Sequence, residues 1–596
     1  MKTIYNVKAL CVFAFLGMAA AAGAQEDVSK DKNLNREMTL EREYDPSVQD
    51  ASKVNTLPEI KEPEVRKIPI DYATYTVAAE PEKEIGLLPS GSIMTQMNYN
   101  KRRGYFNFGG GTYLNLNGDL GYHILSTEAD QLNFWFSHRS TNGNVKYIDT
   151  DLKVKAKLND NLGGLDFRHQ FDRSVLKLGA KYGYSAFNYY GLPLAYDLGT
   201  NGPATLPESL PGDRETNQGS QTIRAYVGIE SKESASVGYL LDVAYRNFSY
   251  KYGWSPAEDG PTEQAICANF DLNAAFNGTM RIGLGGNVNY FAYDQPGFEL
   301  VDLMKMPFEN HADITLSPYY KVEGDNWHIK LGANVMFYTG DEHKFMASPD
   351  VAMDFVVADK TVLYLLAGGK LYSNSLYDMA RLNRYVDPAQ GVTPSRNWVD
   401  ARLGLKCGAA PGFWFDVFGG YKKTSDDVFF VPSFYSREDG FANMSHVLGH
   451  VNSDHLFIGL NLKYSYQQFL DLALKGVYNH WKLKNDGTVD APSTADDWEA
   501  YGKPKMEVTA SVTIKPIEPL ALMLDYYLAT DRYTLLEVTN VKMKNINELN
   551  LTGSYTFNET FGVYAKLNNI LGQKYEVIYG YPLQNFSAMI GINLNF

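Results

Sequence analysis

The sequence predicts an all-β protein, a single large antiparallel transmembrane β-barrel of about 22 strands. Three observations carry that reading. From about residue 103 to the C-terminus, apolar and polar residues alternate with a period of two, the period of a strand with two unlike faces. The connections switch regularly between tight turns and long polar stretches, as periplasmic turns and extracellular loops do in outer-membrane barrels. No stretch after the leader reaches the roughly 18–20 apolar residues of a spanning helix, so any membrane passage is made by strands.

Composition agrees. The chain has 596 residues, 13% of them aromatic (42 Tyr, 31 Phe and 7 Trp), against 21% charged. It is too hydrophobic for a disordered chain and, with 3 Cys, too poor in sulfur for a disulfide scaffold. A formal net charge of −14 argues against a nucleic-acid surface, which needs clustered Lys and Arg.

Three regions follow along the chain. Residues 1–24 read as a secretory signal peptide: Lys2 and Lys8 give a basic start, residues 9–22 carry no charge, and Ala22-Gly23-Ala24 forms a small-x-small cleavage site. Cys11 stands near the start of the apolar run, the wrong place for lipid attachment. Residues 25–100 form a charged periplasmic segment punctuated by Pro46, Pro58, Pro63, Pro69, Pro81 and Pro89, which forbids a long helix and suits an extended tail. Tyr44, Val48, Val54, Leu57 and Ile60 give this tail apolar anchors for a partner or for the barrel wall. Residues 101–596 form the barrel.

The last segment shows the barrel pattern most clearly. Phe586, Ala588, Ile590, Ile592, Leu594 and Phe596 alternate with Ser587, Met589, Gly591, Asn593 and Asn595, a greasy face for lipid and a small or polar face for a wet lumen. The same alternation runs through 547–557 and 151–158, where Leu152, Val154, Ala156 and Leu158 interleave with Lys153, Lys155 and Lys157. With 151–170 read as one long strand, the count reaches about 22, and 20 or 24 within boundary error. Tight turns are expected at 276–279, 323–326, 408–412 and 557–560, and long loops at 191–219, 373–397, 423–454 and 482–503. Cys267 and Cys407 fall about six strands apart in this count, too far to form a disulfide.

Aromatic clusters at segment ends, namely Phe187, Tyr189 and Tyr190, Phe248, Tyr250 and Tyr252, Phe429 and Phe430, and Tyr526 and Tyr527, are read as membrane-interface girdles. On the lumen side the three lysines would concentrate anionic solutes. Charged lumen residues are ordinary in wet barrels, however, and part of the row extends above the membrane, so no site is assigned there. His446, His450 and His455, beside Asp454, have nitrogen donors that suit Zn or Cu. They lack a Cys partner and a helical spacing, and read as a solvated loop entering a strand. Asp426-Asp427 and Arg437-Glu438-Asp439-Gly440 do not repeat a Ca²⁺-loop spacing. Gly109-Gly110-Gly111 reads as room for a bulge or turn. No Gly-x-Ser-x-Gly elbow, His-Glu-x-x-His helix or phosphate-cradling loop is present. No catalytic, cofactor-binding or metal-binding residue is assigned, no cofactor is implied, and the chain is read as a non-enzyme.

The ending carries a specific resemblance. Tyr564-Ala565-Lys566-Leu567-Asn568-Asn569-Ile570-Leu571-Gly572-Gln573-Lys574-Tyr575, then Gly580-Tyr581-Pro582 and a strand closing at Phe596, resemble the final strands of TonB-dependent outer-membrane receptors. The resemblance implies a 22-strand barrel in the cell outer membrane, in contact with its lipid. It also implies delivery by the barrel-assembly machinery, which reads the strand ending at Phe596. The N-terminus departs from the family: residues 25–100 are shorter than its plug domain, without the plug's strand pattern, and no TonB-box-like segment follows the leader. The chain therefore resembles a Bacteroidota-type relative lacking a recognisable plug, without the part that TonB would pull. The implied function is a receptor-like channel or transporter for an unidentified solute. The competing reading is a non-transporting accessory subunit of a multi-protein outer-membrane complex, for example one for outer-membrane protein assembly, with residues 25–100 and the long loops as docking surfaces.

Overall fold

The computed structural model describes residues 102–148, 152–192, 216–232, 236–253, 259–296, 308–340, 344–388, 390–437, 440–485, 498–536 and 539–596. The leader and the Pro-punctuated segment lie outside the described residues. The strands are β1 (Gly104–Gly111), β2 (Leu116–Ser126), β3 (Asp130–Lys146), β4 (Lys153–Gln170), β5 (Ser174–Asn188), β6 (Asn217–Ser231), β7 (Val237–Tyr250) and β8 (Thr262–Asn277). They continue with β9 (Met280–Asp294), β10 (His311–Gly324), β11 (Trp327–Tyr338), β12 (Lys344–Ala358), β13 (Thr361–Tyr372), β14 (Ser395–Ala410), β15 (Phe413–Arg437) and β16 (Gly440–Tyr466). The rest are β17 (Leu470–Asn485), β18 (Met506–Ile517), β19 (Leu520–Thr530), β20 (Tyr533–Leu536), β21 (Thr539–Lys542), β22 (Ile546–Thr556), β23 (Phe561–Asn568) and β24 (Ser587–Asn595). One helix, α1 (Leu376–Leu382), lies between β13 and β14.

All strands but the β20–β21 hairpin form one 22-stranded antiparallel sheet, each strand paired with its neighbours. β24 pairs with β1 from Tyr105↔Asn595 to Gly111↔Met589 and closes the cylinder. Gly104 and Phe596 exchange backbone hydrogen bonds of 2.8 and 2.9 Å at the seam. No strand edge is left to meet hydrocarbon, where an unpaired backbone group costs several kcal/mol. The strand count and the single strand over β4 are as the sequence predicts.

Connections at one end span two to five residues, whereas those at the other reach 28 residues between β5 and β6. That end is the extracellular one by the general rule for such barrels. One predicted loop is instead strand. β15 and β16 pair nearly to their tips, Arg437↔Gly440, so 423–454 is a hairpin projecting beyond its neighbours.

The lipid face is the predicted one on β24. Ile590 is 72% exposed, while Ser587 and Met589 on the other face are buried. Leu165, Ile223, Leu272, Ile282, Leu331, Leu403, Val417 and Ile458 continue an exposed apolar belt around the wall.

Inside, one arrangement recurs. Tyr319 on β10 lies flat across Gly283 on β9, and its hydroxyl donates to both oxygens of Asp271 on β8 at 2.9 Å. Tyr226 on β6 crosses Gly179 on β5 to Asp166 on β4. Tyr364 on β13 crosses Gly404 on β14 to Asp416 on β15, at 3.0 Å. The glycine has no side chain to oppose the ring, the ring covers the bare backbone, and the phenol meets the carboxylate. Basic partners complete the wet wall: Arg139 binds Asp119 at 2.9 Å and Lys330 binds Asp350 at 2.5 Å. Gly109 belongs to the same class, because an added side chain would strike Tyr564, and Gly111 abuts the backbone of Ala588. These glycines permit close approach within β1 rather than a bulge.

Replacing Gly283 by Ala is expected to push the Tyr319 ring off its seat and destabilise the barrel by about 1–3 kcal/mol. Gly368→Ala, at a position with open space around it, is the neutral control. The temperature at which heat-modifiable migration is lost reads both. Cys267 on β8 and Cys407 on β14 are free and six strands apart, so non-reducing gels of wild type and of either Cys→Ser variant should show the same monomer band.

Candidate functional site

The extracellular mouth is where the inward faces and the loops meet. The connection between β13 and β14 does not project into solvent. It turns inward, and its helix α1 starts at Ser375, whose hydroxyl accepts from the Asp378 amide at 3.2 Å as an N-cap. Leu376, 1% exposed, packs in one cluster with Phe187, Tyr189, Phe248, Tyr250 and Phe308. On the other side of the loop Met379 and Val386 pack against Val428 and Phe430 of β15. The helix is held to the wall by Arg246 and by Glu263, which is fully buried. Arg246 donates to the carboxylate at 2.8 Å and lies 4.0 Å over the Tyr377 ring, and the Tyr377 amide donates to Glu263 at 3.2 Å.

Beyond α1 the loop crosses the lumen. Arg384 makes a two-pronged pair with Asp160 on β4, at 3.0 and 2.7 Å. β4 is nine strands from β13 in one direction and twelve from β14 in the other, nearly opposite the loop's root. There Tyr385 stacks on Tyr581 at 3.8 Å and meets Tyr190 edge-on at 5.6 Å. Three separate loops, those after β5, β13 and β23, thus meet in one tyrosine cluster, backed by Val145 and Ala156 of the β3–β4 wall. The Tyr147 hydroxyl donates to the Tyr190 carbonyl at 2.7 Å.

The β23–β24 connection carries the motif read at the C-terminus. Asn569 has a φ of 49° and Gly572 a φ of 60°, and Asn569 clamps the turn by hydrogen bonds to the backbone of Gln573. The turn sends Tyr575 back to Glu548 on β22. The buried Arg532 guanidinium fixes the connection through the carbonyls of Glu576 at 2.7 Å and Val577 at 2.5 Å. The motif is thus a folding device that sets Tyr581 in place.

Beneath the roof the wall presents polar atoms without a protein hydrogen-bond partner: Arg246 Nε, the hydroxyls of Tyr250 and Tyr293, His311 Nε2 and Asp313 Oδ1. All lie on β7 to β10, facing the loop. These atoms are buried beneath the loop, and both donors and acceptors are among them.

Several sequence expectations are corrected. Phe187, Tyr189, Tyr190, Phe248, Tyr250 and Phe429 are all buried. They belong to the packed roof and its neighbouring clusters, not to a lipid girdle, because the loops above them fold inward. Tyr182, Tyr184 and Tyr245 occupy the exposed outer positions instead. The lysine row has the opposite register to a lumen row: Ala156 and Val154 face inward against Tyr190 and Tyr581, so Lys153, Lys155 and Lys157 point outward and are exposed. His455 bonds Asn479 at 3.0 Å and stacks on Trp481 at 4.3 Å. The side chains of His446 and His450 lie outside the described residues. Asp426 pairs with Arg396 at 3.0 Å, and Asp427 accepts from Ser453 at 2.5 Å. Among the described residues no group of three or more His, Cys, Asp or Glu is placed to hold a metal ion.

No family model and no curated protein matches the chain. Solved structures do match in fold. The siderophore receptor PirA from Acinetobacter baumannii superposes with a TM-score of 0.60 at 10% identity, over 83% of this chain and 81% of that one. The pyoverdine outer membrane receptor FpvA from Pseudomonas aeruginosa PAO1 gives 0.60 at 10% identity, over 83% and 78%. The copper transporter OprC gives 0.59 at 11% identity, over 83% and 82%. The fold is therefore that of outer-membrane receptor barrels, and the apolar belt and sealed sheet place this one in the outer membrane.

Burial raises Tyr190 and Tyr581 well above the ordinary phenol value, and Tyr385 is raised by the same cause. A phenol raised in the folded state contributes its full stabilisation below about pH 10 and loses it as pH climbs through the folded value. The roof should therefore stay shut through neutral pH and loosen only in strong alkali. In a tyrosinate absorbance titration, wild type minus the triple variant Tyr190→Phe, Tyr385→Phe, Tyr581→Phe should show signal only beyond the ordinary phenol range. Signal centred near pH 10 would show that the cluster is open.

Proposed function

We propose that this chain is an outer-membrane receptor-like channel for a solute, gated at its extracellular mouth and working without a TonB-engaged plug. One observation carries the reading: a loop rooted on β13 and β14 spans the lumen to β4, where Arg384 grips Asp160. It roofs a wall that is polar, charged and supplied with unpartnered hydrogen-bonding atoms. A purely structural cylinder has no need of a polar lumen lining beneath a separately folded cover.

The fold likeness supports the class of protein. Neighbours of that fold are described as receptors for siderophores and as a copper transporter, and uptake of a small hydrated solute is the reading carried over to this chain. In this proposal residues 1–24 are removed as a signal peptide, and residues 25–100 form a periplasmic tail that closure of the barrel does not require. The C-terminal strand ending at Phe596 is the segment presented to the assembly machinery. Phe596 lies on the exposed outer face, 53% accessible, within stacking reach of Tyr122 at 6.2 Å.

Planar-bilayer recording tests the proposal. The intact protein is expected to carry steady or intermittent ion currents. Replacing residues 376–386 by a short Gly-Ser linker should raise them several-fold while heat-modifiable migration persists. An intact protein that is silent under voltage and copurifies stoichiometrically with other outer-membrane proteins would overturn the reading in favour of the accessory-subunit role.

A further inference from the structure

On the inner wall of β14 to β17, at the level of the apolar belt, aromatic rings form a floor. Phe457 on β16 lies flat across Gly420 on β15, and Phe418 on β15 lies flat across Gly459 on β16. With Tyr364 across Gly404, these buried rings pack as one cluster. Each glycine lets a ring lie against bare backbone, so the surface offered to the bore is flat and apolar. On the outer side of the same strands, Leu403 and Val417 are 54% and 43% exposed, which sets the floor well below the roof, within the membrane-spanning height.

Three cations border this floor. The half-buried Arg402 lays its guanidinium on the rings, 4.6 Å from the centre of Phe418 and 5.3 Å from that of Phe457. Its N–H groups donate to no described residue, and no carboxylate lies within ion-pairing distance of it. Ring contact fixes the plane of the group and leaves its hydrogen-bonding edge free. Four residues along β14, Lys406, Asp416, Asn461 and Lys475 stand in one cross-strand row. Lys406 Nζ lies 4.6 Å over Tyr364, Lys475 is exposed to the bore, and neither is ion-paired. The acids around them are engaged elsewhere. Asp416 accepts from Tyr364 at 3.0 Å and from Asn461 at 3.2 Å, Asp400 faces Lys422 at 4.0 Å, and Glu507 on β18 accepts from Tyr527 at 3.0 Å. Neutral donors thus hold the negative charge against the wall, while the positive charge is left to the bore.

We propose that Arg402, Lys406 and Lys475 form a lumen subsite for a small solute carrying two or more oxyanion groups, carboxylate or phosphate. The assignment rests on the reading of the barrel as a solute channel, and it gives that solute a charge class. Arg402 grips one oxyanion with two parallel N–H bonds, the geometry in which a guanidinium matches either group. Lys406 and Lys475, three strand spacings or about 14 Å apart at the backbone, reach toward a second oxyanion from opposite sides. The phenyl floor carries the body of the solute. A single oxyanion engages Arg402 alone and is held more weakly.

Calorimetric titration of the full-length protein in mild detergent tests the subsite, with residues 376–386 replaced by the Gly-Ser linker so that the roof does not limit access. The probes are inorganic pyrophosphate, the tricarboxylate tricarballylate, and acetate as the single-oxyanion control. At least one of the two multivalent probes is expected to bind tenfold or more tightly than acetate, and which of them binds tells phosphate from carboxylate. In the same background Arg402→Gln should weaken that probe by about ten- to a hundredfold, with Arg402→Lys in between. The double variant K406Q/K475Q should erase the preference over acetate. Lys181→Gln, on β5 and outside the patch, should bind as the parent does. Unchanged heat-modifiable migration confirms that each variant is folded. No binding of either multivalent probe overturns the proposal, as does equal affinity with and without Arg402. Equal weakening by Lys181→Gln overturns it too, since the affinity would then belong to the charge of the bore as a whole. Failure of the channel reading is told apart from these results, because it shows as silence in the bilayer and leaves the titration readable.

Discussion

Hydrocarbon offers the backbone no hydrogen bonds, and that constraint shapes the molecule from the wall inward. Every strand N–H and C=O facing lipid has to be paired within the sheet, so the sheet must close, and it closes through β1 and β24. Closure with 22 strands at about 4.8 Å spacing gives a cylinder roughly 40 Å across. Side chains of the wall cannot fill such a width. The interior is therefore either wet or occupied by other segments of chain, and both solutions appear here: charged, hydrogen-bonded walls at mid-height, and loops packed together at the mouth.

The tyrosine, glycine and carboxylate units show how a wet wall remains ordered. A lumen carboxylate left alone would be solvated but mobile, a glycine in a strand would lose stability for want of a side chain, and a large ring would lack a flat neighbour. Placing Tyr319 across Gly283 onto Asp271 answers all three at once, and the same geometry at Tyr226 and Tyr364 spreads the device around the barrel. Each unit joins three consecutive strands through side chains, in addition to the backbone ladder. Register is held on the inner face as firmly as the apolar belt holds it on the outer one.

How much of this the sequence discloses depends on which neighbours decide each feature. Strand number, turn parity and the lipid face of β24 follow from a local period and are legible residue by residue. The roof is not. Phe187, Tyr190 and Phe248 have the composition of an interface girdle, and nothing local distinguishes a ring facing lipid from one facing an inward-folded loop more than a hundred residues away. The lysine row fails for the same reason. Alternation at 151–158 fixes that two faces differ, but which face is inside depends on Tyr190 and Tyr581 arriving to cover Ala156. A greasy face near the extracellular rim can be an inner face when a roof exists. The pairing of Arg384 with Asp160 and of Arg246 with Glu263 joins distant loops and strands, and no spacing rule reaches it.

The roof is not uniformly strong, and its uneven strength bears on how a lumen closed this way is opened. At the root, Glu263 is fully buried and held by a guanidinium and a backbone amide, so removing either partner strands a charge in a dry place. At the far end, the Arg384 and Asp160 side chains remain 23% and 31% exposed, so water can replace each for the other at modest cost. The tyrosine stack beside them is held mainly by area and ring geometry, which are sensitive to displacement by another flat or hydrated group. The less costly contacts to break are therefore those farthest from the anchored helix, on the side of β4. A cover built this way separates into a fixed half and a releasable half, and the unpartnered donors and acceptors of β7 to β10 are buried under the fixed half, closed to a solute until the anchored helix itself moves.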